Sequence, residues 1–308
     1  MNHTAPASVA THAVARLYQW PGVLLTLTSI FWAGNAVAGR LAVGQIQPMQ
    51  LVCLRWVLVL GVMWPLYGTE VRAHWGEVRP QLGRIVVLAM LGLTVFNALF
   101  YVAAHSTSAV NIGILQGSVP VMVLAGAFLA YGTRARLSQI IGVVITAVGV
   151  VVVATRGHPL QILEMDFNRG DLLMLTACGL YAAYTVGLRD RPKMPGTAFF
   201  ALLALISAIT SLPLAAVEIM LEGWSLPTWQ GLLVTLYVAI FPSALAQLFF
   251  VRAVDLIGPG RTGVFVNLVP IFAAILAVVL IGEPFALFHA VALALVLGGI
   301  WLAQRAPG

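Results

Sequence analysis

"NIGILQGSVPVMVLAGAFLAYG", residues 111 to 132, decides the fold, because its pattern returns 150 residues later as "RTGVFVNLVPIFAAILAVVLIG", residues 261 to 282. Without a gap, Gly113 pairs with Gly263, Val119 with Val269, Pro120 with Pro270 and Gly132 with Gly282. The register extends outward: Asn97 pairs with Gln247, Phe100 with Phe250, Ala103 with Ala253 and Gly149 with Gly299. Near the start of each half "SIFWAGNAV" pairs with "CGLYAAYTV" at an offset of 149, so Trp32 meets Tyr181 and Asn35 meets Tyr184. Apolar segments resemble one another by composition alone, but matched Pro, Gly and polar positions at one fixed offset mark a duplication.

The duplicated material belongs in a bilayer. Of 308 residues, 61% are hydrophobic and 8% charged, and the mean hydropathy is +0.99. Apolar runs long enough to cross a membrane as helices recur along the whole length. Polar, Gly and Pro punctuation divides them into ten expected spans: about 21 to 42, 49 to 67, 85 to 104, 109 to 131, 138 to 155, 170 to 188, 197 to 221, 228 to 251, 259 to 281 and 286 to 303. The fold class expected is therefore an all-α polytopic membrane protein, and no polar block is long enough for a sizeable soluble domain.

The basic residues orient the chain. With both termini cytoplasmic, the inner segments hold Arg16, Arg72, Arg79, Arg84, Arg134, Arg136, Arg189, Arg191, Lys193, Arg252, Arg261 and Arg305, against Arg40, Arg156 and Arg169 outside. That asymmetry is the topological signal of Lys and Arg, and it accounts for the formal charge of +6 without a nucleic-acid partner. Copies of five spans each enter the membrane in opposite senses. The expected layout is a cytoplasmic tail (1–19), a first five-helix copy (20–155), an extracytoplasmic linker (156–169), a second copy (170–304) and a cytoplasmic end (305–308). Such inverted repeats place a site at the midplane between halves and lend themselves to alternating access.

Residues 1 to 18 carry His3, His12 and Arg16 without the pattern of a removable signal peptide. Cys53 and Cys178 fall in different spans, so neither a disulfide nor a metal site is indicated.

"FWAGNAVAGRLA" in the first span, "LVCLRWVLVLG" in the second, "FYVAAHSTSAVNIGILQGSVPVMVLAGAFL" across the third and fourth, and "NLVPIFAAILAVVLIGEPFALFHAVALALVLGGIWL" near the end resemble the EamA-type carriers of the drug/metabolite transporter superfamily. The resemblance covers about 20 to 304. It implies ten spans, carrier activity in a bacterial cytoplasmic membrane and a cavity lined by the first, third, fourth, sixth, eighth and ninth spans. Among branches of the family, it is most similar to bacterial amino-acid and metabolite exporters of the aromatic amino acid type. One departure is visible: the second copy has Glu283 after Gly282, and the first has Thr133 after Gly132.

In lipid, polar side chains belong against neighbouring helices or a water-filled cavity. Asn97, Tyr101 and His105 form one stripe at i, i+4 and i+8 on the third span. Trp32 and Asn35 share a face of the first span, and Tyr181 and Tyr184 a face of the sixth. With Gln116, Ser243, Gln247 and Asn267 these are the expected substrate contacts, and Pro120 and Pro270 the helix-shaping pair. Arg55, about two turns into the second span, reads as a structural residue that snorkels or pairs with a carboxylate. Asp171 and Glu283 read as solvated or helix-end residues, and Glu218 as lying at the outer end of its span.

With no carboxylate expected at mid-membrane and no cation expected in the cavity, the pocket suits neutral or zwitterionic solutes with an apolar or aromatic part. The expected function is export of amino acids, aromatic or other bulky neutral ones, by a monomer without cofactor or metal. Its alternatives are carriage of another small metabolite or drug, or a membrane-embedded enzyme. The enzyme reading lacks a convergent catalytic set in the sequence: the six histidines are scattered over the tail, loops and span ends.

Overall fold

The computed structural model describes residues 18–132, 136–158, 168–258, 262 and 265–304. Most of the expected tail and linker, the C-terminal residues 305–308, Thr133, Arg134, Arg261 and Gly263 lie outside the described residues. Among those described, every regular element is helical. The main helices are α1 (Pro21–Ala42), α2 (Pro48–Ala73), α3 (Trp75–Ala103), α4 (Ala109–Tyr131), α5 (Leu137–Ala154), α6 (Arg169–Asp190), α7 (Gly196–Glu222), α8 (Trp229–Ile257), α9 (Val269–Ile281) and α10 (Leu287–Gln304). The first eight are long and apolar enough to cross a membrane, and α9 and α10 contribute shorter apolar stretches.

Large apolar side chains such as Leu66, Leu129, Leu212 and Val279 point outward, whereas Asn35, Arg55, Asn97 and Ser243 are buried. That distribution suits lipid on the outside and polar partners within. The protein is a multi-pass membrane protein.

Packing follows the repeat register. α2 packs extensively on α7 and α5 on α10, each helix meeting its own counterpart, while α1 against α8 and α9 is echoed by α6 against α3 and α4. At the α5–α10 contact the paired glycines serve both directions. A Cβ on Gly149 would lie 3.0 Å from the Ala292 carbonyl oxygen, and one on Gly299 would lie 2.6 Å from that of Gly142. Small residues let helix backbones approach where lipid supplies no hydrophobic drive for association.

Equivalent hydrogen bonds hold equivalent helices. Ser29 Oγ donates to the Phe265 carbonyl at 2.8 Å, and Cys178 Sγ donates to the Leu115 carbonyl at 3.6 Å. These donors are 149 residues apart and the acceptors 150. Gly132 and Gly282 end their helices with φ of 62° and 68°, a left-handed cap that glycine adopts without the Cβ penalty.

The fourth span, expected over about 109 to 131 with Pro120 shaping it, contains a break. α4 is regular over Ala109–Gln116 and again over Val119–Tyr131. Between them the Gly117 and Ser118 amides donate three residues back, to Ile114 and Leu115. Pro120 thus sits in the first turn of the second segment, where its missing N–H and fixed φ are tolerated. The same tightening recurs at Leu268, whose amide donates to the Phe265 carbonyl ahead of Pro270.

Candidate functional site

The two broken helices wall a central cavity with about 130 Å³ available to the centres of water molecules, room for several of them. Its lining is written in the repeat. Gly92 and Pro242, Leu93 and Ser243, Asn97 and Gln247, Gln116 and Val266, Gly117 and Asn267, Val119 and Val269, and Pro120 and Pro270 all lie on it, each pair 150 residues apart. Trp32 and Tyr181, paired at 149, face it too.

Local backbone chemistry shapes that wall. α3 and α8 each depart from the α-helix into a π-helical turn, over Met90–Thr94 and Ala239–Leu245 respectively. Such single-turn bulges free backbone groups and recur at functional sites. In α8 Pro242 has no amide to offer the preceding turn, and the Ser243 hydroxyl donates to the Val238 carbonyl at 2.6 Å instead. The Pro242 carbonyl accepts the Trp32 indole N–H at 3.1 Å, fixing that ring on the cavity wall.

A polar cluster centred on Arg55 borders the cavity. Arg55 is 5% exposed and lines it. Its Nε donates to Ser243 Oγ at 2.8 Å, and its Nη1 donates to Asn97 Oδ1 at 2.5 Å, to Tyr101 OH at 2.7 Å and, more distantly, to Asn35 Oδ1 at 3.5 Å. The Tyr101 hydroxyl in turn donates to Asn35 Oδ1 at 3.0 Å. Helices α1, α2, α3 and α8 therefore converge on one guanidinium. All these partners are neutral, and among the described residues no carboxylate lies within ion-pair distance of it.

Read from the sequence as a structural residue that snorkels or pairs with a carboxylate, Arg55 instead bonds inside the bundle to neutral groups of three neighbouring helices, and it brings to the cavity a cation not expected there. Its depth and charge were the available signal, since an ionisable group inside a span is functional by default. Trp56 beside it, Phe200 of α7 and Ile300 of α10 also line the cavity, adding three helices to the expected six.

Of the expected contacts, Trp32, Asn35, Asn97, Gln116, Tyr181, Ser243, Gln247 and Asn267 border the cavity together with Pro120 and Pro270. Three others do not. Tyr101 stands behind the wall with its hydroxyl on Arg55. Tyr184 fills the recess left by Gly92, on which a Cβ would fall 2.3 Å from the tyrosine ring. His105 lies instead in a second pocket, with Arg40, Asn111 and His289, at the end of the bundle that carries the 104–109 loop.

That end holds the two halves together. Asp171, expected as a solvated or helix-end residue, stands in the first turn of α6 but is fully buried, and it accepts hydrogen bonds from Thr107 Oγ1 and, at 3.3 Å, from Asn111 Nδ2. His289 Nδ1 accepts the Ala286 amide, which leaves its Nε2–H to donate to Asn111 Oδ1 at 3.1 Å. Glu283 accepts the Ala109 and Val110 amides at 2.9 and 3.0 Å, capping α4, and lies 3.7 Å from Arg40. Glu218 caps α2 in the same way through the Met49 and Gln50 amides. Carboxylates at helix N-termini satisfy orphan N–H groups and face the positive end of the helix dipole.

Comparison with known proteins places this architecture. The sequence profile described as the EamA-like transporter family matches residues 20–155 and again 168–304, one match for each copy. The chain is 25% identical over 286 residues to the uncharacterized transporter YyaM of Bacillus subtilis (strain 168), covering 92% of each chain. It is 26% identical over 287 residues to an uncharacterized transporter of Archaeoglobus fulgidus, covering 91% of this chain and 96% of the other. A solved crystal structure has the same fold, with a TM-score of 0.61 at 18% identity over 92% of this chain and 96% of that one. Two copies of the profile, a bundle of apolar helices and a cavity between the copies make this chain a member of the EamA-like transporter family, a membrane transporter.

Proposed function

We propose that the protein exports amino acids, aromatic or other bulky neutral ones, across a bacterial cytoplasmic membrane by alternating access through the central cavity. In this reading ten helices span the bilayer as two five-helix copies of opposite sense, with both termini cytoplasmic. The single observation that carries the reading is the cavity wall, on which the same eight sequence positions of both copies meet. A site shared by two inverted copies can be opened to either side by rocking one against the other.

The lining supports an amphipathic solute. Trp32, Phe96, Tyr181 and Phe200 offer apolar area, and Asn35, Asn97, Gln116 and Gln247 offer neutral donors and acceptors. Among the described residues no group of three or more His, Cys, Asp and Glu side chains is placed to hold a metal. Counterflow in proteoliposomes loaded with a panel of labelled amino acids tests the proposal. Exchange of at least one bulky neutral amino acid is expected; exchange of phosphorylated metabolites or cationic drugs alone refutes the amino-acid assignment.

A further inference from the structure

We infer that Arg55 is the binding site for the carboxylate of the transported solute, and that the cavity selects organic acids and zwitterions over their uncharged amides and over cations. The inference rests on the reading of the cavity as the transport path.

The first ground is electrostatic. A guanidinium removed from water needs an anion or a full set of hydrogen-bond acceptors, because burial penalises the unpaired charge. Arg55 is buried with only neutral oxygens around it, while the ion pairs among the described residues lie elsewhere, at Arg40–Glu283 and Arg84–Asp190. The second ground is the count of donors. Nε and Nη1 are committed to Ser243, Asn97 and Tyr101, whereas Nη2 donates to nothing among the described residues. One nitrogen, with two N–H bonds, is left for a ligand on a residue that lines the cavity.

The third ground is independent of the arginine. The indole Nε1–H of Trp56, another cavity-lining residue and 1% exposed, has no hydrogen-bond partner among the described residues. The guanidinium carbon lies 5.3 Å from that ring. An uncommitted charged donor on a cavity-lining residue, next to a tryptophan whose N–H is also unpartnered, calls for an acceptor-rich anion. A carboxylate supplies it, and charge-assisted N–H···O bonds to arginine are among the stronger and more geometrically specific ones.

The Ser243 bond joins α2 of the first copy to α8 of the second, so the guanidinium whose Nη2 is left for the carboxylate is also a link between copies through its Nε.

The test uses the full-length protein in nanodiscs and matched probes: phenylacetate against phenylacetamide, L-phenylalanine against L-phenylalaninamide, and tetraphenylphosphonium as a cation. Affinity is read by titration, and cavity occupancy by Gln116→Trp, which fills the cavity. The acid of at least one pair is expected to bind about tenfold or more tightly than its amide, the difference one charge-assisted hydrogen bond makes. Arg55→Gln abolishes the preference and Arg55→Lys keeps part of it. If Arg55→Gln does not fold, the wild-type acid-to-amide ratio decides.

Equal binding of acid and amide, a preference that survives Arg55→Gln, or tighter binding of tetraphenylphosphonium overturns the Arg55 assignment. If that equal binding is lost in Gln116→Trp, the cavity reading stands without it. Acid binding unaffected by Gln116→Trp overturns the cavity reading itself, and binding by none of the probes overturns both.

Discussion

Tyr181 and Tyr184 share a helix face by spacing, yet only Tyr181 reaches the cavity, and the reason is one missing Cβ. Gly92 leaves a recess in the π-helical turn of α3, and the Tyr184 ring occupies it. A methyl group there meets the ring flat on, and overpacking of that kind costs about 1–3 kcal/mol. Gly92→Ala is therefore expected to destabilise the wild type by that amount and to be nearly neutral in a Tyr184→Ala background. A double-mutant cycle by thermal unfolding reads the coupling directly, and additive effects would refute the contact. The sequence located Arg55 at its depth as readily as it located Asn97. Its partners were out of reach, because they come from α1, α3 and α8, as far as 188 residues away in the chain. Charge and depth are local properties; a hydrogen-bond set assembled from four helices is not.

At the scale of helices, the repeated prolines show why a costly residue persists in an apolar run. Pro120 and Pro270 occupy the first turns of restarted helices, so neither deprives an intact helix of a bond mid-length. Both line the cavity. Substituting alanine returns an amide that completes the helix through the break, drawing the wall toward a regular spiral. Pro120→Ala and Pro270→Ala are each expected to leave stability unchanged or raised while slowing counterflow, with the double variant slower than either. Normal counterflow in the double variant would reduce the breaks to packing features. The apolar runs and their pairing were legible because hydrophobic length and Pro/Gly spacing are linear signals. The π-helical turns were not, since α and π turns differ in the choice of backbone acceptor and leave no distinctive residue at Met90–Thr94; Pro242 marks only the second of them.

For the whole molecule, the contrast lies between a cavity built alike from both copies and an end of the bundle where the two copies contribute unlike residues. Glu283 caps α4 across the copies, and its counterpart by register is the uncharged Thr133. Around it, Asp171 and His289 of the second copy hold Asn111 of the first. The repeat alone predicts symmetry here, and the Glu283–Thr133 difference is a departure from it that the sequence shows. If alternating access operates, these cross-copy bonds must break each time the cavity opens toward the 104–109 loop. Removing the Asp171 carboxylate, or the charge and one acceptor oxygen of Glu283, should therefore favour that opening. A single reporter cysteine, Gln116→Cys, in a Cys53→Ser, Cys178→Ser background places a thiol on the cavity wall; serine at 178 copies its repeat counterpart, Ser29. Asp171→Ala and Glu283→Gln, singly and together, are expected to raise several-fold the rate at which an impermeant maleimide applied from the 104–109 side labels that cysteine. The same labelling from the opposite side should slow, because an equilibrium shifted toward one opening is drawn from the other. Unchanged rates from both sides would mean that the cluster holds helix ends in place without controlling access to the cavity.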